Sequence, residues 1–530
     1  MLKEQIMDTM FKLALIPGIS GTKSENFAAV GIHDILKKMA YFLKNPELLK
    51  VYPVQDDPLE RTVVTAMVKG KKESNKTVII TGHYDVVGID DFGPLMEIAF
   101  DPIKITKRIH ELPLDEDATK DLHSGDWIFG RGTADMKFGI ALGIEILRYY
   151  SERRDFSGNI LFIAVPGEES NSEGMLAAVH ILERLQNENK LEFKGAFVSE
   201  CCLPDYVEDD TKKIYLGTCG KIMPLLFFAG KAAHVCDSTS ALNPNLLASE
   251  VNAMLELNTD FCESSGDIVT APPTCLKQTD LKEYYSVQTP LYAAAYYNLL
   301  TIGRSTSELI SLLKDIGVKA FDKINEKCKG FGITYEPRVM TYEELYEEVK
   351  RNFTGDFDNH MNDFIDKCTA AGMGLQTTAI HSVKETFNYY SVKEPTIVIS
   401  FAPPFYPSKS LDKSRANDEF LLHTVQKMLD FAKVNFKVDI AKRNYFMGIC
   451  DLSYTGNISK ADVENCSKNI IGMYKNYTIP FEKLKLLSIP GVVFGGFGKD
   501  FHKCSERLNL SYSFEIVPEL YKFMIEHLLL

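Results

Sequence analysis

A series of apolar runs constrains this chain more than any other feature. Thr62–Lys69 and Thr77–Val87 are β-branched and apolar, Asn159–Val165 is continuously apolar, and Gly195–Cys202 is a further short apolar run. A strand with one wet face would alternate in polarity. These do not, so each needs a sheet covered on both faces. Between them, Lys137–Arg154 and Glu173–Asn189 carry apolar residues at helical spacing. The first two hundred residues therefore read as an α/β domain.

The pattern changes after Tyr215. Ile222–Ala233 is strand-like and punctuated by glycine, and Pro244–Leu257 is a helix behind the N-cap Asn243 with proline at its first position. Ser286–Thr301 reads as a strand, Thr306–Glu326 as a helix, and Ile333–Met340 as a strand. That succession predicts a small α/β sandwich inserted into the larger domain. The expected division is 1–216 and 346–530 for the larger domain, with 217–345 as the insertion. Glu394–Phe401, Val492–Phe494 and Val517–Leu529 are expected to return to the first domain.

At 530 residues the chain is too long for one core. Its 45% hydrophobic and 25% charged residues are those of a globular protein. Fifty-nine basic against 72 acidic residues leave a charge of −13, which argues against nucleic-acid or membrane-surface partners. The eleven cysteines form no C-x-x-C pair, so neither a disulfide framework nor a zinc ribbon is expected. The opening stretch is charged enough to be an amphipathic helix rather than an export signal, so a reducing, cytoplasmic setting is expected.

Four segments place an acid or imidazole at a strand end: Thr81-Gly82-His83-Tyr84-Asp85, Gly130-Arg131-Gly132-Thr133-Ala134-Asp135, Pro166-Gly167-Glu168-Glu169 and Val198-Ser199-Glu200. Each alone is ordinary: a polar strand terminus, a helix cap, a solvated turn. In an open α/β sheet, however, ligands bind outside the carboxyl ends of the strands, and all four belong at that edge. Far downstream, Gly495-Gly496-Phe497-Gly498-Lys499-Asp500-Phe501-His502 adds a second imidazole. Two histidines (His83, His502) and three carboxylates (Asp135, Glu169, Glu200) match two divalent ions sharing one carboxylate. A donor set without thiolate suits zinc, with cobalt or manganese as substitutes. On a strand, residues i and i+2 project to one face, so His83 and Asp85 are expected to point the same way, with Asp85 placed to orient His83. Glu168 is left over, free to take a proton from water whose pKa such ions pull toward about 7. The expected chemistry is hydrolysis of an amide or similar acyl bond.

Together these segments resemble the dinuclear zinc peptidase family of aminoacylases, glutamate carboxypeptidases and succinyl-diaminopimelate desuccinylases. The motifs GHYDVV, GRGTADMKFG, PGEESNSEG, VSE and FGKDFHKCSER occur in the family's order. The resemblance implies a mixed sheet with helices on both faces and an inserted α+β lid or dimerisation domain built on a four-stranded sheet with two helices. It implies His83 and Glu200 on one ion, Glu169 and His502 on the other, Asp135 between them, Glu168 as general base, and a cis peptide after Asp135. His234, in Gly230-Lys231-Ala232-Ala233-His234, matches the histidine offered to the reacting carbonyl, and a homodimer through the lid follows from the same likeness. The substrate class so implied is a peptide or N-acyl amino acid. Length and the segments YSVQTP, FAPPFYP and YFMGICDLSY look closest to the family's arginine-utilisation branch.

One departure stands out. Many relatives carry an arginine in the lid that grips the substrate's carboxylate, whereas the corresponding stretch here is Tyr296-Tyr297-Asn298-Leu299. Asp451 could meet a cationic substrate end, though a structural cap is the simpler reading. The rival to an enzyme is a non-catalytic or single-metal descendant that binds an amino acid or peptide in the same cleft. Such descendants lose a ligand or the base, and here all six residues are present in type.

Overall fold

The computed structural model describes residues 2–266, 268–456 and 466–530. The chain forms two compact units, Met1–Thr218 with Lys409–Asn457 and Glu482–Leu530, and Cys219–Ser408 with Ile458–Phe481.

The first unit is built on an eight-stranded mixed sheet. In spatial order its strands are Leu49–Pro53, Thr62–Lys69, Ser157–Val165, Lys72–His83, Glu192–Val198, Gly491–Val493, Lys212–Tyr215 and Ile440–Arg443. The strands from Ser157–Val165 to Gly491–Val493 run parallel. Both faces are covered, as the unalternated runs require. Val64, Ala66, Ile80, Ile160 and Phe162 pack in one cluster with the helices Leu2–Ala14, Phe138–Arg153 and Val517–Leu529. Residues of the other parity, Val63, Ile79, Leu161 and Ile163, are buried too, and the helix Glu173–Asn189 lies against the strands Thr62–Lys69 and Ser157–Val165.

The second unit is an α+β layer. Its five-stranded sheet runs Thr274–Asp280, Tyr292–Thr301, Gly220–Ala229, Thr396–Tyr406, Val339–Thr341. Pro244–Leu255 is a helix with Asn243 capping Asn245 N, and Thr306–Cys328 starts in a capping box between Ser305 and Glu308.

Several expectations need correction. The strand read as Glu394–Phe401 and assigned to the larger domain is instead Thr396–Tyr406, paired with Gly220–Ala229 in the second unit. The second unit therefore runs to Ser408 rather than 345, and its sheet has five strands rather than four. An apolar strand does not reveal which sheet it joins, because pairing is long-range. The strand expected at Ile333–Met340 shrinks to Val339–Thr341. Among the described residues no helix is long and apolar enough to cross a membrane.

Candidate metal centre

The parallel strands bring the sequence motifs to one edge. His83 ends the strand Lys72–His83 and is level with Val165, after which Pro166 and Gly167 lead to Glu168 and Glu169. Val198 is level with Thr81, and Glu200 follows two residues later. Asp135 enters from the turn before the helix Phe138–Arg153, and its peptide bond to Met136 is cis, as the resemblance implied. His502 comes from the turn after the short strand Gly498–Lys499.

These five residues meet. His83 Nε2 lies 3.0 Å from Asp135 Oδ1 and 3.3 Å from Glu200 Oε1. His502 Nε2 lies 3.1 Å from Asp135 Oδ2 and 3.0 Å from Glu169 Oε1. Asp135 thus turns one oxygen to each half of the group. His83, Asp135 and Glu169 offer atoms close enough to share one ion.

Asp85 acts differently from the simple expectation. The strand stops at His83, so the two side chains do not share a strand face. His83 Nδ1 bonds the backbone carbonyl of Asp85 at 3.0 Å, with the Asp85 carboxylate at 3.5 Å. A carbonyl oxygen only accepts, so Nδ1 carries the proton, and in the neutral ring the Nε2 lone pair points toward Asp135 and Glu200. The Asp85 carboxylate reaches across to the next strand end and accepts the N–H groups of Glu168 and Glu169, each at 3.2 Å. One aspartate therefore fixes both an imidazole and the loop holding two acids.

Electrostatics fit a cation at this place. Burial, then the charge of Asp135, pushes Glu169 up to about 7, and burial also raises Glu200 and Glu168. His83 is raised against its burial by Glu200 and Asp135, and His502 is raised to about 10 by its bonds to Asp135 and Glu169. Burial opposes ionisation of Asp135, but the bonds from His502 and His83 hold its carboxyl below the usual range. Acids pushed up and imidazoles pushed up together mean a pocket with more negative charge than its own protons neutralise. Imidazole and carboxylate without thiolate form the donor set a divalent ion of the zinc type accepts.

Two anchors were not read from the sequence. Glu506 is buried, and its Oε1 accepts the N–H groups of Ala134 and Asp135 at 3.1 and 3.2 Å while Oε2 accepts from Arg131 at 2.9 Å. Arg131 is itself buried and also paired with Asp91. The second anchor is Arg61, which bridges Asp57, Glu25 and Glu173 and so ties down the helix start behind Glu169. Arg131 and Glu506 lie inside quoted motifs, but nothing in spacing alone shows that they join.

His234 sits in the second unit, exposed, with its Nδ1 2.9 Å from Cys236 Sγ. The Tyr296–Leu299 stretch lies within the strand Tyr292–Thr301. Nearby Arg304 directs its guanidinium at the carbonyls of Asp260, Phe261 and Cys262, a structural role.

A mixed sheet presenting imidazoles and carboxylates at its carboxyl edge defines the class of metal-dependent α/β hydrolases. The chain belongs to peptidase family M20/M25/M40, whose model matches residues 79–438. It is 33% identical to the YqjN protein of Bacillus subtilis (strain 168) over 99% of this chain and 97% of that one. It is 30% identical to the RocB protein of the same organism over 99% and 95%. The solved structure of the Bacillus subtilis YXEP protein, a dinuclear metal binding peptidase from the M20 family, superposes with a TM-score of 0.51 at 12% identity, covering all of this chain and 97% of that one. The likeness to YqjN and RocB agrees with the branch resemblance read from the motifs.

Proposed function

We propose that this chain cleaves the amide bond of a peptide or N-acyl amino acid, with two zinc-type ions held by His83, Glu200, Asp135, Glu169 and His502. The observation that supports this best is the convergence of those donors, with the Glu168 carboxylate close enough to feel His83, Glu169 and Glu200. When bound, the ions would supply Lewis-acid chemistry, acidifying water and polarising a carbonyl. Glu168 accepts the proton of the attacking water as its oxygen bonds the acyl carbon. It then delivers that proton to the departing amine nitrogen as the C–N bond breaks. The raised affinity of Glu168 for a proton suits this exchange. Asp85 keeps His83 and the 167–169 loop in place during turnover. His234 is proposed, on the resemblance, as a donor to the carbonyl oxygen. A cytoplasmic homodimer working in amino-acid or arginine catabolism completes the reading.

The test is Glu168→Gln. Turnover on a panel of dipeptides and N-acyl amino acids should fall roughly 10²–10⁴-fold, with metal content by elemental analysis unchanged. Undiminished hydrolysis would remove Glu168 from its role. His234→Ala should slow turnover without loss of metal, and metal loss in that variant would mean the histidine has been misassigned.

A further inference from the structure

Asp451 is an acid at this edge that none of the roles above uses. It opens the helical turn Asp451–Thr455 and is 1% exposed. The turn packs against the helix Glu173–Asn189, the strand Glu192–Val198 leading to Glu200, and the strand Gly491–Val493. The groups its carboxylate feels are His83, Asp85, Glu200 and the Ser172 side chain, and Glu168 feels Asp451 in turn. Asp451 therefore stands beside the donor group.

Its bonding is the unusual part. Its neighbouring side-chain donor is the Ser172 hydroxyl. Apart from that hydroxyl neither carboxylate oxygen has a hydrogen-bond partner among the described residues, and Ser453 Oγ, two residues on, is likewise buried and unpaired. Two other acids of this region are well supplied with donors: Asp85 by two backbone N–H groups, Glu506 by two more and an arginine. A buried carboxylate served by no more than a hydroxyl is costly, and such an exception calls for a ligand that brings a stronger donor. The His83 imidazole faces the position, but Glu168, Glu200 and Asp85 outnumber it, so the position favours a donor carrying positive charge over an anion.

We propose that Asp451 recognises a cationic group of the substrate, an ammonium or a guanidinium, bound beside the metal centre. Ser453 supplies a further polar contact from the same turn. The proposal rests on the amide-hydrolase reading for what the rest of the substrate is. It adds that substrates with a cation at the right distance are selected over neutral analogues of equal size.

The experiment compares zinc-loaded wild type, Asp451→Asn and Asp451→Glu on matched pairs. One pair sets an arginine side chain against citrulline in otherwise identical N-acetyl amino acids and dipeptides. A second sets lysine against norleucine, and a third a free α-amino group against an acetylated one. In wild type at least one pair should favour the cation about 30-fold or more in kcat/KM, falling to about threefold or less in Asp451→Asn. Asp451→Glu should keep part of the preference, and metal content should be the same in all three. Which pair responds distinguishes guanidinium, side-chain ammonium and α-ammonium.

Absence of any cation preference in wild type overturns the proposal, as does a preference that survives in Asp451→Asn. Calorimetric binding of arginine, citrulline, lysine and norleucine to the zinc-loaded protein gives the same comparison without turnover. If wild type hydrolyses nothing on the panel, the amide-hydrolase reading fails while the binding comparison still decides on Asp451. If Asp451→Asn does not fold, Asp451→Glu and the wild-type preference carry the decision.

Discussion

The two halves of the donor group are built differently. His83 and Glu200 sit at the ends of neighbouring strands in the middle of the sheet, and both side chains are almost wholly buried. Glu169 and His502 sit on turns, and the His502 side chain is 52% exposed with a left-handed backbone at φ 65°. Asp135 joins the halves with one oxygen each. The inner half is positioned by strand pairing that the fold needs anyway. The outer half depends on local ties, Asp85 beneath the 167–169 loop and Glu506 beneath Asp135. A buried inner half and a half-exposed outer histidine suit a site that opens to solvent on one side.

The sharpest way to break this comparison is by stability without metal. Removing His83 leaves two buried carboxylates facing each other, so His83→Ala should cost about 3–5 kcal/mol in urea unfolding of the metal-free protein. His502→Ala, half in solvent, should cost less than about 1 kcal/mol. Equal losses would show that the halves do not differ.

A second, smaller effect concerns Asp85, which serves both halves. Asp85→Asn keeps the shape but weakens its grip on the Glu168 and Glu169 amides, and zinc affinity measured against a competing chelator should fall about 10–100-fold. An unchanged affinity would mean that the backbone carbonyl alone orients His83.

The least effect is in pH dependence, and it isolates the outer half. His502 is raised from 6.5 to about 10 in the folded, metal-free chain, so it takes up protons on folding. Its contribution is full below pH 6.5 and is lost as pH rises through about 10. Unfolding in chelator at pH 6, 8 and 10 should show this decline in wild type and a shallower one in His502→Ala. Identical slopes would mean that other groups carry it.

Much of this was legible beforehand because the signals are local. Apolar runs without alternation announced a doubly covered sheet, and the open-sheet rule gathered His83, Asp135, Glu169 and Glu200 at one edge. The second unit's extent was not legible, because Thr396–Tyr406 has the same composition whichever sheet it joins. The shared strand face expected of His83 and Asp85 does not form, because the end of the strand at His83 depends on the turn that follows. Arg131 with Glu506, and Arg61 with Glu173, were missed because each pair joins segments more than a hundred residues apart.

The bond from Glu506 to the amides of Ala134 and Asp135 has a consequence for the chain during synthesis. Residues 83 to 200 leave the ribosome long before His502 and Glu506 exist, and at about 5–20 residues per second that interval lasts many seconds. Throughout it the nascent polypeptide has only one of the two imidazoles of the donor group and an unbraced Asp135. The donor group is thus complete only once the last stretch of the chain has been made.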